Sequence, residues 1–128
     1  PFFIARGEQI DCIGTESTPI GISRTVRPVI SEVPIEPGLI IVLYTDGLAH
    51  AGERKGQPMD VCLLLKAMLE EQDPEPQAIA DALLAEASRL DDGRPADDIS
   101  VVVVKVLERQ GDNVRRMTVR LPIGWGET

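Results

Sequence analysis

Two short runs of β-branched and aliphatic residues dominate the hydrophobic pattern of the chain. They cover Leu39–Thr45 and Ile99–Leu107, and each is short and rich in valine or isoleucine. These properties predict buried strands rather than helices. Weaker alternating patterns predict further strands at Phe2–Ala5, Gln9–Ile13, Thr25–Val33 and Val114–Leu121.

Two segments between the strong runs have apolar residues at helical spacing. The first begins at Val61, and apolar neighbours on its flanks predict that it is covered on more than one side. The second is predicted to start from an Asp73 N-cap, with Pro74 in its first turn, and to end near Leu90. Strands on both sides of two consecutive helices predict an α+β fold with antiparallel strands.

Acidic residues stand at the ends of the two strong runs. Asp46 follows the first run, and Asp97-Asp98 precede the second. In antiparallel neighbours, the end of one strand lies beside the start of the other, so pairing would bring three carboxylates to one rim of the sheet. These carboxylates would repel one another unless a cation neutralised them. Oxygen ligands without histidine or thiolate select Mg²⁺ or Mn²⁺ rather than zinc.

Each acidic motif also has a plainer explanation. Asp46-Gly47 after a hydrophobic run is a hairpin-turn signal, although no returning strand follows it directly. Asp97-Asp98 could be solvated loop residues. His50, the only histidine, could reach the rim, but a lone histidine in a loop is more often incidental. No serine or cysteine stands out beside a base as nucleophilic catalysis requires, so the remaining chemistry is metal-assisted hydrolysis.

Composition narrows the class of partner. The 128 residues fit one domain, and a formal net charge of −8 argues against nucleic acid or an anionic membrane as a partner. Cys12 and Cys62 lack metal-ligand spacing and favour a reduced, cytoplasmic protein. No apolar run approaches the roughly 18 residues of a membrane span.

At its acidic motifs the chain resembles the SpoIIE-like bacterial branch of the PPM (type 2C) metal-dependent protein serine/threonine phosphatases. The matching stretches are Tyr44–Leu48 and Asp97–Val104, in the order that the family has, and Pro1-Phe2-Phe3 resembles the tail of another family segment. The resemblance implies an α-β-β-α fold, in which two antiparallel sheets pack face to face with helices outside. Residues 1–128 would form the C-terminal portion of one such domain.

The resemblance also implies roles for individual residues. Asp46 and Asp97 would ligate Mn²⁺ or Mg²⁺ in a two-metal site, while Asp98 and Gly47 would support it from nearby. His50 stands where relatives often have glutamate, which changes the chemistry of that loop. The family's N-terminal aspartate, which bridges both metals, has no counterpart in this sequence. We expect it upstream of the first residue, and we expect this chain alone to bind metal weakly and to have little activity.

The implied reaction is hydrolysis of phosphoserine or phosphothreonine by a metal-activated water. The implied substrate is a regulatory protein, an anti-sigma-factor antagonist of the STAS type. A non-catalytic pseudophosphatase that binds a regulator is the alternative. Haloacid-dehalogenase phosphatases and receiver domains order their acidic residues differently. Arg115, Arg116 and Arg120 in the last predicted strand are expected to be solvated, with docking or phosphate guidance as the alternative.

Overall fold

A computed structural model of the protein describes residues 2–7, 9–13, 21–26, 28–71, 73–108 and 111. These residues form an antiparallel sheet, three α-helices and a short 3₁₀ turn, so the predicted α+β class is confirmed. The elements in chain order are β1 (Phe2–Arg6), β2 (Gln9–Ile13), β3 (Ile40–Tyr44), α1 (Asp46–Ala49), the 3₁₀ turn (Glu53–Lys55), α2 (Val61–Glu71), α3 (Pro76–Leu90) and β4 (Val101–Lys105).

The four strands lie in the order β2-β1-β3-β4, and every neighbouring pair is antiparallel. Val42 lies opposite Phe3 on one side and Val103 on the other, which fixes the register across the middle of the sheet. The two strong apolar runs therefore pair directly, as the sequence predicted. The end of β3 lies beside the start of β4.

One face of the sheet packs against α2 and α3 and forms the hydrophobic core. Along α3 the buried residues recur every three or four positions, so one helix face is apolar and the opposite face is polar. Burying each large aliphatic side chain of this kind contributes about 1.5–3 kcal/mol. The central buried side chains are Phe3, Ile40, Val42, Leu48, Val61, Leu65, Ile79 and Leu83.

The opposite face of the sheet is open near the β3–β4 pair. Leu43, Val102 and Val104 are 43%, 56% and 44% exposed, because alternate strand residues point to opposite faces. The prediction of fully buried strands is therefore wrong for this face. The second sheet implied by the family resemblance is not among the described residues.

Several element predictions need correction. The described residues between Thr25 and Val33 form no strand, and Val26, Val29 and Ile30 are exposed there. A strand needs a hydrogen-bonding partner, and loose alternation does not supply one. The predicted cover around α2 is also incomplete, because Leu63 is exposed.

The second helix begins later than predicted. Glu75 occupies the N-cap position and Pro76 the first helical position, where a missing N–H costs nothing. Asp73 does not cap the helix; it pairs with Lys105 of β4 at 2.8 Å. The predicted final strand, with its three arginines, lies outside the described residues. Within the described part of the chain, every helix falls short of the length and apolarity that a bilayer crossing requires.

Candidate metal centre

The antiparallel pairing of β3 with β4 brings the two acidic motifs to the same rim of the sheet. Tyr44 lies opposite Val101 as the last strand pair, and the next backbone hydrogen bond runs from the Thr45 N–H to the Ser100 carbonyl at 3.1 Å. Asp46 begins immediately beyond this bond. Asp97 and Asp98 precede it on the neighbouring chain segment. The two motif segments therefore meet at one rim of the sheet, as the sequence predicted.

The side chain of Thr45 links the two motifs directly. Its hydroxyl oxygen accepts a hydrogen bond from the Ser100 amide at 2.9 Å and donates one to the Asp98 carbonyl at 3.3 Å. The sequence alone does not reveal this role of Thr45, because both bonds connect residues more than 50 positions apart. The only available signal was its place between the strand and Asp46.

Asp46 is the first residue of the one-turn helix α1, so the hairpin-turn alternative is wrong. Thr45 is the extended N-cap residue, and its hydroxyl makes no capping bond to α1. The Asp46 carbonyl accepts a hydrogen bond from the His50 amide at 2.9 Å, which closes the helical turn. The Asp46 carboxylate is exposed at the rim. An acidic residue in the first turn of a helix is also favourable electrostatically.

Gly47 is buried against the backbone of Asp98. A Cβ atom at this position would lie 2.3 Å from the Asp98 carbonyl oxygen and 3.1 Å from Cγ1 of Ile99. The absence of a side chain therefore allows α1 to approach the segment before β4. The predicted support role of Gly47 stays a prediction, but its immediate neighbour in the structure is Asp98.

Asp97 and Asp98 are both exposed, and the chain bends at Asp97. Oδ1 of Asp97 accepts a hydrogen bond from the Asp98 amide at 2.8 Å, which orients the Asp97 carboxylate. The Asp98 carbonyl is the group that meets Thr45 and Gly47. Asp98 thus contributes its backbone to the rim, while Asp97 presents its carboxylate.

His50 follows α1 and pairs with an acid in its own loop. Its Nδ1 lies 2.9 Å from Oε1 of Glu53. The hydrogen bond and charge of Glu53, with a further contribution from the charge of Asp46, raise the pKa of His50 above its ordinary value. The charge of Asp46 therefore influences the protonation of His50, although the residue that His50 contacts directly is Glu53.

The donor chemistry of the rim suits a hard divalent cation, but the set of donors is incomplete. Asp46 and Asp97 supply exposed carboxylate oxygens, which Mg²⁺ and Mn²⁺ prefer. In the part of the chain that the structure describes, no three acidic, histidine or cysteine side chains are grouped to hold a metal ion. The predicted convergence of three carboxylates into one cluster is therefore not seen there.

Comparison with known proteins places this arrangement in a family. The family model for stage II sporulation protein E (SpoIIE) matches residues 1–107. Stage II sporulation protein E of Bacillus subtilis is 30% identical over 106 residues, which cover 83% of this chain and 13% of that protein.

Two solved structures are similar in fold as well as in sequence. The manganese-presoaked phosphatase domain of the cell fate determinant SpoIIE from Bacillus subtilis is 28% identical, with a TM-score of 0.63 over 88% of this chain and 49% of that one. The PP2C phosphatase domain of the same protein, solved with a fragment of its regulatory domain, is 28% identical, with a TM-score of 0.68 over 86% and 32%.

The chain thus spans about half the length of the solved phosphatase domain that it matches. Both acidic motifs lie within the matched residues. The fold, the order of the motifs and the family match agree, and the chain belongs to the SpoIIE family, whose solved Bacillus phosphatase domain is of the PP2C type.

Proposed function

We propose that this chain supplies one side of a two-metal site in a phosphatase that hydrolyses phosphoserine or phosphothreonine on a regulatory protein. The proposal rests on one observation: the β3–β4 pairing brings Asp46 and Asp97 to the same rim, where the Thr45 hydroxyl joins their segments. Two carboxylates held by a shared sheet edge are a suitable half of a divalent metal site.

In this proposal each rim residue has a defined task. Asp46 and Asp97 hold the cations, which when bound activate water and neutralise phosphate oxygens. Gly47 allows α1 to lie against Asp98, and the Asp98 amide orients the Asp97 carboxylate at 2.8 Å. Fixing the ligands before the substrate arrives lowers the cost of organising the transition state.

The remaining ligands would come from outside the described residues. The described residues contain no group of three ligating side chains, and the chain covers 49% of the manganese-presoaked phosphatase domain. The open apolar face at Leu43, Val102 and Val104 supports a second layer, because contiguous exposed apolar patches usually mark a contact surface. A second sheet with the bridging aspartate would cover this face and complete the site.

The proposed substrate is a phosphorylated STAS-type anti-sigma-factor antagonist, by analogy with the family that the sequence resembles. The chain itself is acidic, with a net charge of −8, so it offers no general attraction to polyanions. We therefore expect selectivity to come from a protein surface around the phosphorylated residue. The same charge argues against nucleic acid or an anionic membrane as a partner.

A pseudophosphatase that binds a regulator is the second candidate. The incomplete ligand set among the described residues favours it. Metal dependence separates the two candidates. A binding module on this fold would bind its regulator without hydrolysing a phosphate, and this binding would not require the Asp46 carboxylate.

The test uses the full-length protein with Mn²⁺ and a phosphorylated STAS-domain protein, and measures released phosphate. Asp46→Asn and Asp97→Asn should each lower the rate by about 100-fold or more, since a metal ligand contributes several kcal/mol to the transition state. Asp81→Asn is the matched control, because Asp81 is an exposed acid on α3 bonded only to Gln77 among the described residues. Unchanged turnover in both rim variants would refute the catalytic proposal.

Turnover that is absent from the wild type, together with binding of the regulator that survives both rim substitutions, would establish the second candidate instead.

A further inference from the structure

Asp91 is a buried acidic residue within the described part of the chain, and the proposed reaction does not use it. It directly follows the C-terminus of α3 and is 8% exposed. Burying a carboxylate is costly unless hydrogen bonds compensate for the lost water. Its contacts therefore identify what this carboxylate stabilises.

The Asp91 side chain connects the two chain segments that lead to the acidic rim. Its Oδ1 accepts a hydrogen bond from the Gly52 amide at 2.9 Å, and this buried bond joins residues 39 positions apart. Its backbone carbonyl accepts a hydrogen bond from the Arg94 amide at 3.0 Å. Asp91 thus shapes the turn towards Asp97 and also holds the segment that follows Asp46. A hydrogen bond to an ionised acceptor is stronger than one between neutral groups.

The backbone conformation and the close surroundings of Gly52 require glycine at the position that donates this bond. Its φ of +77° lies in the left-handed region, and a Cβ atom there would lie 2.0 Å from the Gln57 carbonyl oxygen and 3.1 Å from Cβ of Leu90. The Gly52 carbonyl accepts a hydrogen bond from the Gln57 amide at 3.0 Å. The backbone at Gly52 is therefore tightly enclosed, and its amide points at Asp91.

A second link lies beside the first. Lys55 of the 3₁₀ turn forms an ion pair with Asp92, the residue after Asp91. Both partners are substantially exposed, so this pair is worth less than the buried bond. The two links together join the loop after α1 to the turn after α3.

The Asp91–Gly52 hydrogen bond lies at equal sequence distances from the two predicted metal ligands. Gly52 follows Asp46 by as many residues as Asp91 precedes Asp97. Each ligand therefore lies between the Thr45 bridge at the rim and the Asp91–Gly52 bond farther along its loop. A segment held at both ends has few alternative conformations, which favours a fixed ligand position.

We infer that Asp91 is a positioning residue for the metal site, which sets the separation of Asp46 and Asp97 through its bond to the Gly52 amide. The inference rests on the proposed function, since it assumes that the rim binds divalent cations. Partners that orient metal ligands from outside the coordination sphere typically change metal affinity by about 10–100-fold when they are removed.

The experiment compares Asp91→Ala and Asp91→Asn in the full-length protein. The first readout is the dissociation constant for Mn²⁺ by calorimetry, and the second is hydrogen exchange at the Gly52 amide by NMR or mass spectrometry. Asp91→Ala removes the acceptor, so Mn²⁺ should bind about 10–100-fold more weakly and the Gly52 amide should exchange faster. Asp91→Asn keeps an oxygen acceptor and should restore most of both properties.

Ile79→Val is the control for a general loss of stability. Ile79 is fully buried in α3, and this substitution typically destabilises a protein while leaving every polar contact intact. It should lower the melting temperature without weakening Mn²⁺ binding. Equal weakening by Ile79→Val and Asp91→Ala would overturn the positioning role.

Mn²⁺ affinity that is unchanged in Asp91→Ala would overturn the inference alone, provided that Asp46→Asn weakens binding. A wild-type protein whose Mn²⁺ binding does not depend on Asp46 would overturn the proposed function, and the inference would fall with it. If Asp91→Ala does not fold, Asp91→Asn is the deciding variant. Weak Mn²⁺ binding together with normal hydrogen exchange at the Gly52 amide would show that the Asp91–Gly52 bond does not position the ligands.

Discussion

The hydroxyl oxygen of Thr45 lies 2.9 Å from the amide nitrogen of Ser100 and accepts its hydrogen bond. The same hydroxyl donates to the carbonyl of Asp98 at 3.3 Å. The link between β3 and β4 therefore continues beyond their last strand pair through this side chain as well as through the backbone bond from Thr45 to Ser100. This extension holds the segment before β4 against the start of α1, where the two predicted ligands lie.

Removing the Thr45 hydroxyl should weaken metal binding at the rim while reducing the stability of the fold only modestly. Thr45→Val preserves the branched shape but leaves the Ser100 amide without this acceptor, so we expect unfolding to become easier by about 1 kcal/mol. Mn²⁺ binding should weaken about tenfold, because the segment carrying Asp97 loses its anchor. Urea unfolding and calorimetry measure the two effects. Thr45→Ser keeps the hydroxyl and should behave like the wild type; a similar loss in Thr45→Ser would contradict the explanation.

Gly47→Ala tests the close approach of α1 to Asp98, and the sign of its effect is informative. Helix propensity alone would make alanine more stable than glycine by about 1 kcal/mol. The added Cβ would, however, lie 2.3 Å from the Asp98 carbonyl oxygen, a backbone atom that cannot rotate away. We therefore expect destabilisation by about 1–3 kcal/mol, measured by chemical denaturation.

Ala49→Gly in the same helix is the control for Gly47→Ala. It should destabilise by about 1 kcal/mol through propensity alone and leave Mn²⁺ binding unchanged. A stabilised Gly47→Ala variant would show that α1 does not pack against Asp98 as described.

His50 should titrate above the ordinary histidine pKa of about 6.5. Its hydrogen bond to Glu53 is the main cause and the charge of Asp46 a lesser one, so Glu53→Gln should lower the pKa more than Asp46→Asn does. Because the folded pKa is raised, any stability gained from the pair is full below the unfolded pKa. It is lost as the pH rises through the folded value. His50 is the only histidine, so one NMR titration in metal-free buffer decides; equal shifts in both variants would contradict this assignment.

Lys105 should be easier to replace than its partner Asp73. The Lys105 side chain is 8% exposed and its ammonium lies 2.8 Å from Asp73, which is 84% exposed. Asp73→Asn leaves a largely buried ammonium without its counter-charge and should cost about 1–2 kcal/mol. Lys105→Met fills similar space without a charge and should be nearly neutral.

Thermal denaturation of both variants measures the difference between Lys105→Met and Asp73→Asn. Glu86→Gln is the matched control for Asp73→Asn, since its partner Arg89 is an exposed residue on α3. It should change stability little. A larger loss of thermal stability in Lys105→Met than in Asp73→Asn would show that the ion pair itself stabilises the fold.

The sequence predicted the elements whose signals are local. The apolar runs around Val42 and Val103 identified two strands, and their flanking acids predicted which ends would meet. The helical spacing from Val61 likewise identified α2 at its observed start. In each case a few neighbouring residues contain the whole pattern, so no knowledge of distant contacts was needed.

The errors and omissions involve contacts between distant residues. The local sequence predicts Asp73 as an N-cap, because nothing near it in sequence indicates that its carboxylate binds Lys105. The two residues are 32 positions apart. Thr45 and Asp91 were missed for the same reason, since their partners lie 39 to 55 positions away in sequence. The segment around Val29 alternates without a neighbouring strand to pair with among the described residues.

The exposed valines of β4 make the stability of this sheet sensitive to whatever covers its open face. In the chain by itself, Val102→Thr places a hydroxyl in water and should be close to neutral. If a second layer covers this face, the same substitution would bury an unpaired hydroxyl at a cost of about 1–3 kcal/mol. The change in unfolding free energy caused by Val102→Thr would thus show whether a second layer folds cooperatively with this sheet.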